Sequence, residues 1–508
     1  MQRVLIHIAI ALSLALAGCA SNAVNMTSAG PDTPWKPNGR EGGMWSMKRA
    51  SSDAGASKTV GGSDFGVPEN SALAIMPETP GIDPNRRYGL PELIDIAQRN
   101  NPATRSAWHQ ARQAALAVGM VEATYLPVIT ASVIGGQQTV RTPLPVPIGT
   151  ERYFDTKLGG VNSALALQWL VFDFGQRTAA ADVAKQTAFA ANVLFNGAHQ
   201  KLIFDVTQAY YAYGASIENL RIAEEALRNS RDMAAAAAAR NAIGLATTIE
   251  VAQTRQFVAQ SELRRVQAEG QKRDGYQNLI AAMGVNATLR INVQNANRRP
   301  LPSASKVPLE SIIKLALARR PDVVASYAAV SASKAGVKVA QAEFMPKVFV
   351  AGAVGSGHGD FNANNLPVIS QQASGAGVLV GAAMPIFDGG LKSAQLAQAK
   401  SRVEAAESTF HRTQSIAVTE IVAASNALRT ALESYRAAEA LHQAATTTYD
   451  AAVDAYANGV GTVTAATAAG SGLLDAKQAK ADSHAAALIA AANLAFVVGG
   501  LTSANVAP

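Results

Sequence analysis

Few side chains in the sequence have the type and spacing needed to bind a metal ion or to activate a nucleophile. The only cysteine is Cys19. Zinc sites use cysteine, histidine and carboxylate ligands at short, fixed spacings, and the seven histidines are spread too widely to form such a set: His7, His109, His199, His358, His411, His442 and His484. We therefore predict no metal, no cofactor and no catalytic residues, and hence that the protein is not an enzyme.

Two glycine-rich runs are candidates for phosphate binding. The run GAVGSGHGD contains Gly355, Gly357 and Gly359, but it leads into an Asn-rich segment and not into a helix. The run from Gly390 to Ser393 lacks the earlier glycine of a Walker motif. We predict that the first is a β-hairpin turn and the second a strand-to-helix turn. The formal charge of +7 is scattered, which predicts solvated surface and no nucleic-acid partner.

The first residues have the pattern of a bacterial export signal. Arg3 precedes VLIHIAIALSLAL, an apolar run too short to span a membrane. The end of this run belongs to the sequence Leu16-Ala17-Gly18-Cys19, which resembles the lipobox of bacterial lipoproteins, in which the cysteine receives palmitate and other lipid. The alternative is an ordinary cleaved signal with a chance cysteine. We predict a signal peptide over residues 1–18 and a lipid-anchored, flexible N-terminal segment, rich in Gly, Ser, Asn and Pro, over residues 19–87.

The remainder of the chain consists of one unit present twice. LPELIDIAQRNNPATRSAW, from Leu90, aligns without a gap with LESIIKLALARRPDVVASY, from Leu309. The junctions FDFG and FDGG and the later turns AIGLA and ANGVG recur in the same order. Self-similarity at a fixed period indicates a repeat architecture. We predict two tandem repeats, over residues 88–300 and 301–508.

Each repeat changes from strand patterns to helix patterns. Four runs have the length of strands, two in each repeat: VITASVIGG, LALQWLVFDFG, KVFVAGAVG and VLVGAAMPIFD. No proline occurs between Pro147 and Pro300, or between Pro385 and Pro508, so long helices are permitted after each junction. Apolar residues from Val206 to Leu227 recur at coiled-coil spacing. The predicted fold is mainly α, with two strands and long coiled-coil helices in each repeat.

The number of predicted strands limits how the chain could enter a membrane. The smallest membrane barrels have about eight strands, and an open sheet edge in lipid would leave backbone groups without hydrogen bonds. If the four strands enter a membrane, several copies must share one barrel.

Together these features resemble the TolC-type family of outer-membrane efflux proteins, over about residues 88–501. The resemblance rests on the doubled NNP and RRP helix starts, the FDFG and FDGG junctions, and the turns NAIGLATTIEVAQ and ANGVGTVTAAT. It implies a homotrimer with a twelve-stranded membrane β-barrel, continued by a periplasmic α-helical barrel. It also implies a location in the bacterial outer membrane and three partners: outer-membrane lipid, a periplasmic adaptor protein and an inner-membrane pump.

The resemblance further implies roles for residues at the two glycine turns. It places adaptor docking at Gly244, Leu245, Thr247, Gly459, Gly461 and Thr462, whereas the alternative is that these glycines only reverse the chain. The family has acidic residues just past the turns, at a tunnel constriction. Glu250 matches that position in the first repeat. In the second repeat the matching residues are Ala465 and Ala468, so Asp450 and Asp454 are the candidates that could replace the missing acidic residue there. The alternative for Glu250 is an ordinary solvated helix residue.

The function implied is the outer-membrane exit duct of a tripartite efflux system, which passively conducts drugs or other small molecules to the exterior. One alternative within this class is the outer-membrane channel of a type I protein secretion system. A second, from another class, is a lipid-anchored coiled-coil scaffold without a pore. The scaffold would leave the four strand runs unassigned.

Overall fold

The computed structural model describes residues 73–74, 81–148, 151–294, 299–302, 308–363 and 367–501. The predicted signal peptide, Cys19 and most of segment 19–87 lie outside the described residues. Residues Pro80–Pro508 form one compact unit. Its elements in chain order are β1 (Arg87–Tyr88), α1 (Leu90–Asn100), α2 (Pro102–Ala123), β2 (Val128–Ile148), β3 (Glu151–Phe172), α3 (Gln176–Ala242), α4 (Thr248–Met283), β4 (Asn292–Val293), α5 (Leu309–Leu317), α6 (Pro321–Ala342), β5 (Lys347–Ala363), β6 (Ile369–Ala383), α7 (Leu391–Ala457) and α8 (Val463–Val497).

Apart from the short strands β1 and β4, which pair with each other, the two repeats have the same order of elements. This order confirms the predicted fold class of tandem units with two long strands and long helices each. In both, a short helix is followed by one that starts at a proline, Pro102 or Pro321. Proline suits this position because its fixed φ is helical and its missing N–H would have had no partner. In the first repeat Asn101 also caps the helix, since its Oδ1 accepts a hydrogen bond of 2.8 Å from Ala103 N.

The two long helices, α3 and α7, each contain 67 residues, which corresponds to about 100 Å. Each reverses into a shorter antiparallel helix, α4 or α8. The predicted apolar stripe of α3 is largely buried, including Val206, Tyr210, Leu220 and Leu227. The main core packs α1 and α3 against the end of α4, and its fully buried members are Leu93, Ile94, Ala97, Val206, Leu279, Ile280 and Met283.

The four long strands form one antiparallel sheet in the order β2-β3-β5-β6. The strands are longer than the sequence runs predicted. In particular, the prediction of a hairpin turn at Gly355, Gly357 and Gly359 is wrong, because these residues lie within β5. They pair with β3 on one side and β6 on the other. Hydrogen bonding from both neighbours keeps this glycine-rich run extended, although glycine clusters usually mark turns.

The register assigns the side chains of the sheet to two faces, because directly opposite residues share a face. Ile129 lies opposite Leu167, which lies opposite Gly352, which lies opposite Val378. The face that contains these residues, here called the apolar face, also carries Val133, Leu165, Trp169, Val350, Val354 and Val380. The opposite face, here called the polar face, carries Thr130, Ser132, Gln138, Asn162, Gln168 and Gln371, together with a few apolar residues such as Ile134 and Leu379.

The described part of the chain contains no helix that is both long and apolar enough to cross a membrane. Within the same residues, no three or more histidine, cysteine, aspartate or glutamate side chains are grouped closely enough to hold a metal ion.

Candidate functional site

The predicted docking residues occupy two turns of similar geometry, at the ends of α3 and α7. Gly244 has φ of +77° and Gly459 has φ of +78°, a left-handed conformation that only glycine adopts at little cost. After Gly244, Leu245 N donates to Arg240 O at 2.8 Å. After Gly459, Val460 N donates to Ala455 O at 3.0 Å. These hydrogen bonds use carbonyl groups that the helix itself leaves without partners.

The second turn is the more tightly packed of the two. Gly461 N donates to Ala455 O at 2.9 Å, and a Cβ at Gly461 would lie 2.9 Å from Ala455 Cβ. The outer surface of both turns is apolar and exposed, which the resemblance did not indicate beyond Leu245. It includes Ile243, Leu245, Ile249 and Val460. The available sequence signal was the apolar residue types at turns that otherwise read as exposed.

Threonines cap the returning helices. Thr247 Oγ1 accepts a hydrogen bond from Glu250 N at 3.2 Å, and Glu250 Oε2 accepts one from Thr247 N at 2.8 Å. This reciprocal capping box holds the Glu250 carboxylate against the start of α4. In the second repeat, Thr462 Oγ1 accepts from Ala465 N at 3.2 Å, and alanine has no carboxylate to return the bond. Asp450 and Asp454 lie exposed on α7.

Arg240, which was not among the sequence candidates, joins the ends of the two long helices. Its Nη1 donates to Tyr456 O at 3.1 Å and to Ala457 O at 3.2 Å. Its guanidinium also lies 5.2 Å from the centre of the Tyr456 ring. A cation at the C-terminal end of a helix is stabilised by the exposed carbonyl groups and the helix dipole. The only sequence signal was a basic residue in the last turn of a predicted helix.

Tyr456 is the centre of the contact between the two tips. It is 6% exposed and packs with Met233, Phe257, Val463 and Ala466. Burial raises the pKa of the Tyr456 hydroxyl, the charge of Glu250 raises it further, and the charge of Arg240 opposes this. Among the described residues the hydroxyl has no hydrogen-bond partner. Glu250, Arg240 and Tyr456 therefore belong to one local assembly that spans both repeats.

The junction between β3 and α3, where the FDFG motif lies, is held by an ion pair. Arg177 Nε donates to Asp173 Oδ2 at 2.8 Å, and both side chains are nearly buried. The other two nitrogens of the guanidinium also donate: Nη1 to Thr124 O at 2.9 Å and Nη2 to Val171 O at 3.1 Å. The guanidinium also stacks 4.6 Å from the centre of the Tyr125 ring. This arginine connects the end of α2, the end of β3 and the start of α3.

The corresponding junction of the second repeat is built differently. Lys392 occupies the position of Arg177, and its ammonium lies 5.9 Å from the centre of the Phe344 ring. Asp388 accepts hydrogen bonds from the backbone N–H groups of Gly390 and Lys392, at 3.0 and 3.1 Å. Lys392 Nζ is buried and has no hydrogen-bond partner among the described residues. The repeated Phe-Asp motif thus has two different polar arrangements.

Comparison with known proteins identifies the family. Residues 93–285 and 312–500 match the family model of the outer membrane efflux protein. The chain belongs to this family. Protein CyaE of Bordetella pertussis is 26% identical over 72% of this chain and 73% of its own length. The fusaric acid resistance protein FusA of Burkholderia cepacia is 27% identical over 78% of this chain and 69% of its own length. The crystal structure of the Campylobacter jejuni CmeC outer membrane channel has a TM-score of 0.66 at 19% identity, and the match covers 82% of this chain and 88% of that one.

Membership of the outer membrane efflux protein family confirms the predicted function and location. The protein is an outer-membrane exit duct of an efflux system, with an extension into the periplasm. The family is one of channels and not of enzymes. The scaffold alternative is not supported, since the four strands that it left unassigned form one sheet.

Proposed function

We propose that three copies of the chain form one closed duct, which passively conducts small molecules from an adaptor and an inner-membrane pump to the exterior. The observation that carries this proposal is the four-stranded sheet, whose outer strands β2 and β6 have no partner on one side among the described residues. A sheet in lipid must be closed, and three copies would supply twelve strands. The apolar face, with Val133, Val378 and Val380 strongly exposed in the single chain, would then meet lipid, while the polar face would line the pore.

The proposal is tested with the purified full-length protein and with a bacterial strain that lacks it. We expect heat-modifiable trimers, ion conductance in a planar bilayer, and restored drug resistance on complementation. Small-molecule export is favoured by the relative named for fusaric acid resistance. A strain that keeps normal drug susceptibility but loses secretion of a protein would favour the type I secretion alternative. A soluble, non-conducting dimer would contradict the duct.

We infer that the adaptor docks at the two turns, through Gly244, Leu245, Thr247, Gly459, Gly461 and Thr462. The exposed apolar side chains of Leu245 and Val460 support this proposal, because an exposed apolar patch at the ends of two long helices suits a protein partner. For the tunnel constriction the candidates are Glu250, Asp450 and Asp454. Glu250 is the best placed of these, because its capping box fixes the carboxylate relative to the turn.

Gly459→Val is expected to reduce drug resistance while the amount of trimer in the outer membrane stays near normal. A β-branched residue at a left-handed position costs about 1–3 kcal/mol, whereas the space around Gly459 would accept a Cβ, which would make only an ordinary contact of 3.6 Å with Arg240 Nη2. Drug susceptibility, trimer abundance and adaptor crosslinking should be measured side by side. Gly472→Val is the matched control, since Gly472 lies in α8 and no atom lies within 4 Å of the position that a Cβ would take. Full resistance with normal crosslinking would remove the docking role of the turn.

We also propose that residues 1–18 are removed as a signal peptide and that Cys19 carries the lipid anchor of segment 19–87. Cys19→Ser should abolish incorporation of labelled palmitate and processing at that site. Trimers should persist, because the sheet and helices that would form them lie far along the chain from Cys19. Metabolic labelling decides the matter, and a native protein that takes up no label would contradict the anchor.

A further inference from the structure

We propose that β2 of one copy pairs with β6 of the next in one defined register, with Val128 opposite Ala383 and Thr142 opposite Ile369. This inference rests on the trimeric duct proposed above and specifies its subunit contact. The pair of strands is called here the subunit seam. Four features of the two outer strands agree with this register: their prolines, their side-chain faces, the strand tilt and the apolar residues that flank the sheet.

Prolines limit the length of each outer strand that can donate backbone hydrogen bonds to a neighbouring copy. Along β2, the run without proline lies between Pro127 and Pro143, and along β6 it lies between Pro367 and Pro385. Proline has no N–H to donate, so within sheets it is confined to edges and strand ends. The part of β2 before Pro143 matches the full length of β6, which has 15 residues. The midpoints of the two proline-free runs, Gly135 and Ala376, face each other in the proposed register.

The faces of the sheet exclude a shift by one residue. Ile129 and Val133 lie on the apolar face of β2, and Val378 and Val380 lie on the same face of β6. The proposed register places Ile129 opposite Ala382, which belongs to that face because it alternates with Val380. A slip by one residue would set Ile129 and Val133 of one copy beside residues that point to the other side of the sheet, whereas opposite residues of paired strands share a side. Only registers that differ by two residues remain as competitors.

Strand tilt removes the competitors with a displacement of two residues or none, because these would give tilts of only about 19° or 0°. A line across the hydrogen bonds from Val128 passes through Gln168 and Ala351 and reaches Leu379. In the proposed register Val128 of the next copy lies opposite Ala383, four residues farther along β6. Four strand spacings of about 4.8 Å thus accompany a displacement of four residues of about 3.3 Å, which gives a tilt of about 35°. Outer-membrane barrels have tilts of roughly 35–45°. A displacement of six residues would give about 46°, but it would set Val128 opposite Pro385, which ends the proline-free run of β6.

The same register brings together two apolar patches at the end of the sheet that is next to the helices, called here the lower end. Ile386 and Phe387 follow β6 and are 98% and 91% exposed in the single chain. Tyr125 and Leu126 precede β2 and are also exposed. If the seam continues for three residues past Ala383, Ile386 comes beside Tyr125 of the next copy. Exposed aromatic and aliphatic groups on both sides would then cover each other.

The seam leaves the end of the β2–β3 hairpin outside the closed sheet. Beyond Thr142, Pro143 and Pro145 offer no N–H to a neighbour. The base of this projecting ribbon is held within one copy by Arg141, which makes a bidentate ion pair with Asp155 at 2.7 and 2.8 Å. The guanidinium also lies 5.6 Å from the centre of the Tyr153 ring.

Disulfide trapping in the full-length protein tests the register. Gln138→Cys with Ala373→Cys places two cysteines directly opposite across the seam, where Cα atoms lie about 4.5–5.5 Å apart. Disulfides need about 4.4–6.8 Å, and diagonal neighbours lie at about 7–8 Å. We expect oxidation to give covalent trimers for this pair and roughly tenfold less for Gln138→Cys with Gln371→Cys or Gly375→Cys. Single-cysteine variants control for the native Cys19.

A second pair near the lower end, Ser132→Cys with Leu379→Cys, guards against a folding defect of the first. Its shifted control is Ser132→Cys with Gly377→Cys. Strongest trapping in the shifted pairs would overturn the register while leaving the duct intact. Absence of trapping in every pair, when an amine crosslinker still yields wild-type trimers, would overturn the seam itself. If the wild-type protein gave no trimers with the amine crosslinker, the proposed duct would fail as well.

Discussion

Arg177→Met is expected to destabilise the folded protein by about 3–5 kcal/mol. The substitution leaves the Asp173 carboxylate, which is 7% exposed, buried without its cation. It also removes the donors for the Thr124 and Val171 carbonyl groups, and a buried acceptor without a partner costs about 1–3 kcal/mol. The amount of heat-modifiable trimer in the outer membrane and its unfolding midpoint in denaturant would measure the loss.

The second repeat provides a matched control at the equivalent position. Lys392→Met should change stability by less than about 1.5 kcal/mol, or even increase it, because methionine can fill a similar volume and the ammonium has no hydrogen-bond partner among the described residues. The double variant Asp173→Asn with Arg177→Met should recover part of the loss, since no buried charge is left alone. Equal losses for Arg177→Met and Lys392→Met would show that the buried ion pair is not the cause.

Arg240→Met is expected to weaken adaptor binding by about tenfold or more, with little change in trimer abundance. Hydrogen bonds from a charged donor contribute about 1.5–3 kcal/mol, and each 1.4 kcal/mol corresponds to a factor of about ten in an equilibrium constant. The variant removes both hydrogen bonds to the end of α7 and the contact with the Tyr456 ring. The two turns would then no longer be held in one arrangement. Adaptor crosslinking, binding to the purified adaptor and drug susceptibility would measure the effect.

The control for this variant is Arg231→Met, on the same helix and nearer its middle. Arg231 makes an exposed ion pair with Glu262 at 3.2 Å, and such pairs contribute about 0–1 kcal/mol. Arg231→Met should therefore leave drug resistance unchanged. If Arg240→Met also kept full adaptor binding, the contact between the two tips would have no part in docking.

The order of elements could be predicted because it depends on local signals. The absence of proline after each Phe-Asp junction and the spacing of apolar residues in α3 were enough to predict the long helices, which contain 67 residues each. The strands were predicted too short, because glycine and proline in β2 and β5 read as loop signals. In β5 two neighbouring strands override them. In β2 the prolines lie on an outer strand, where a donor is not needed on the open side.

Contacts between the repeats could not be predicted in this way. Arg240 and Tyr456 are separated by 216 positions in sequence, and nothing in either segment identifies the other as its partner. The basic residue after each Phe-Asp motif was visible, and Asp173 lies at helical spacing from Arg177. However, the sequence did not indicate that the first junction is a buried ion pair, whereas the second leaves Lys392 over an aromatic ring.

The difference between Glu250 and Ala465 has a consequence for symmetry. The proposed ring of three copies would present six helix starts, and because each chain contributes two unlike ones, a carboxylate would stand at every second start. Six identical half-length chains could not produce this alternation, since any substitution would appear six times. Two unlike repeats in one chain would therefore let the ring carry three of these carboxylates, with greater spacing and weaker mutual repulsion than six. They would also give a partner two kinds of contact site on the ring, each of which can evolve separately.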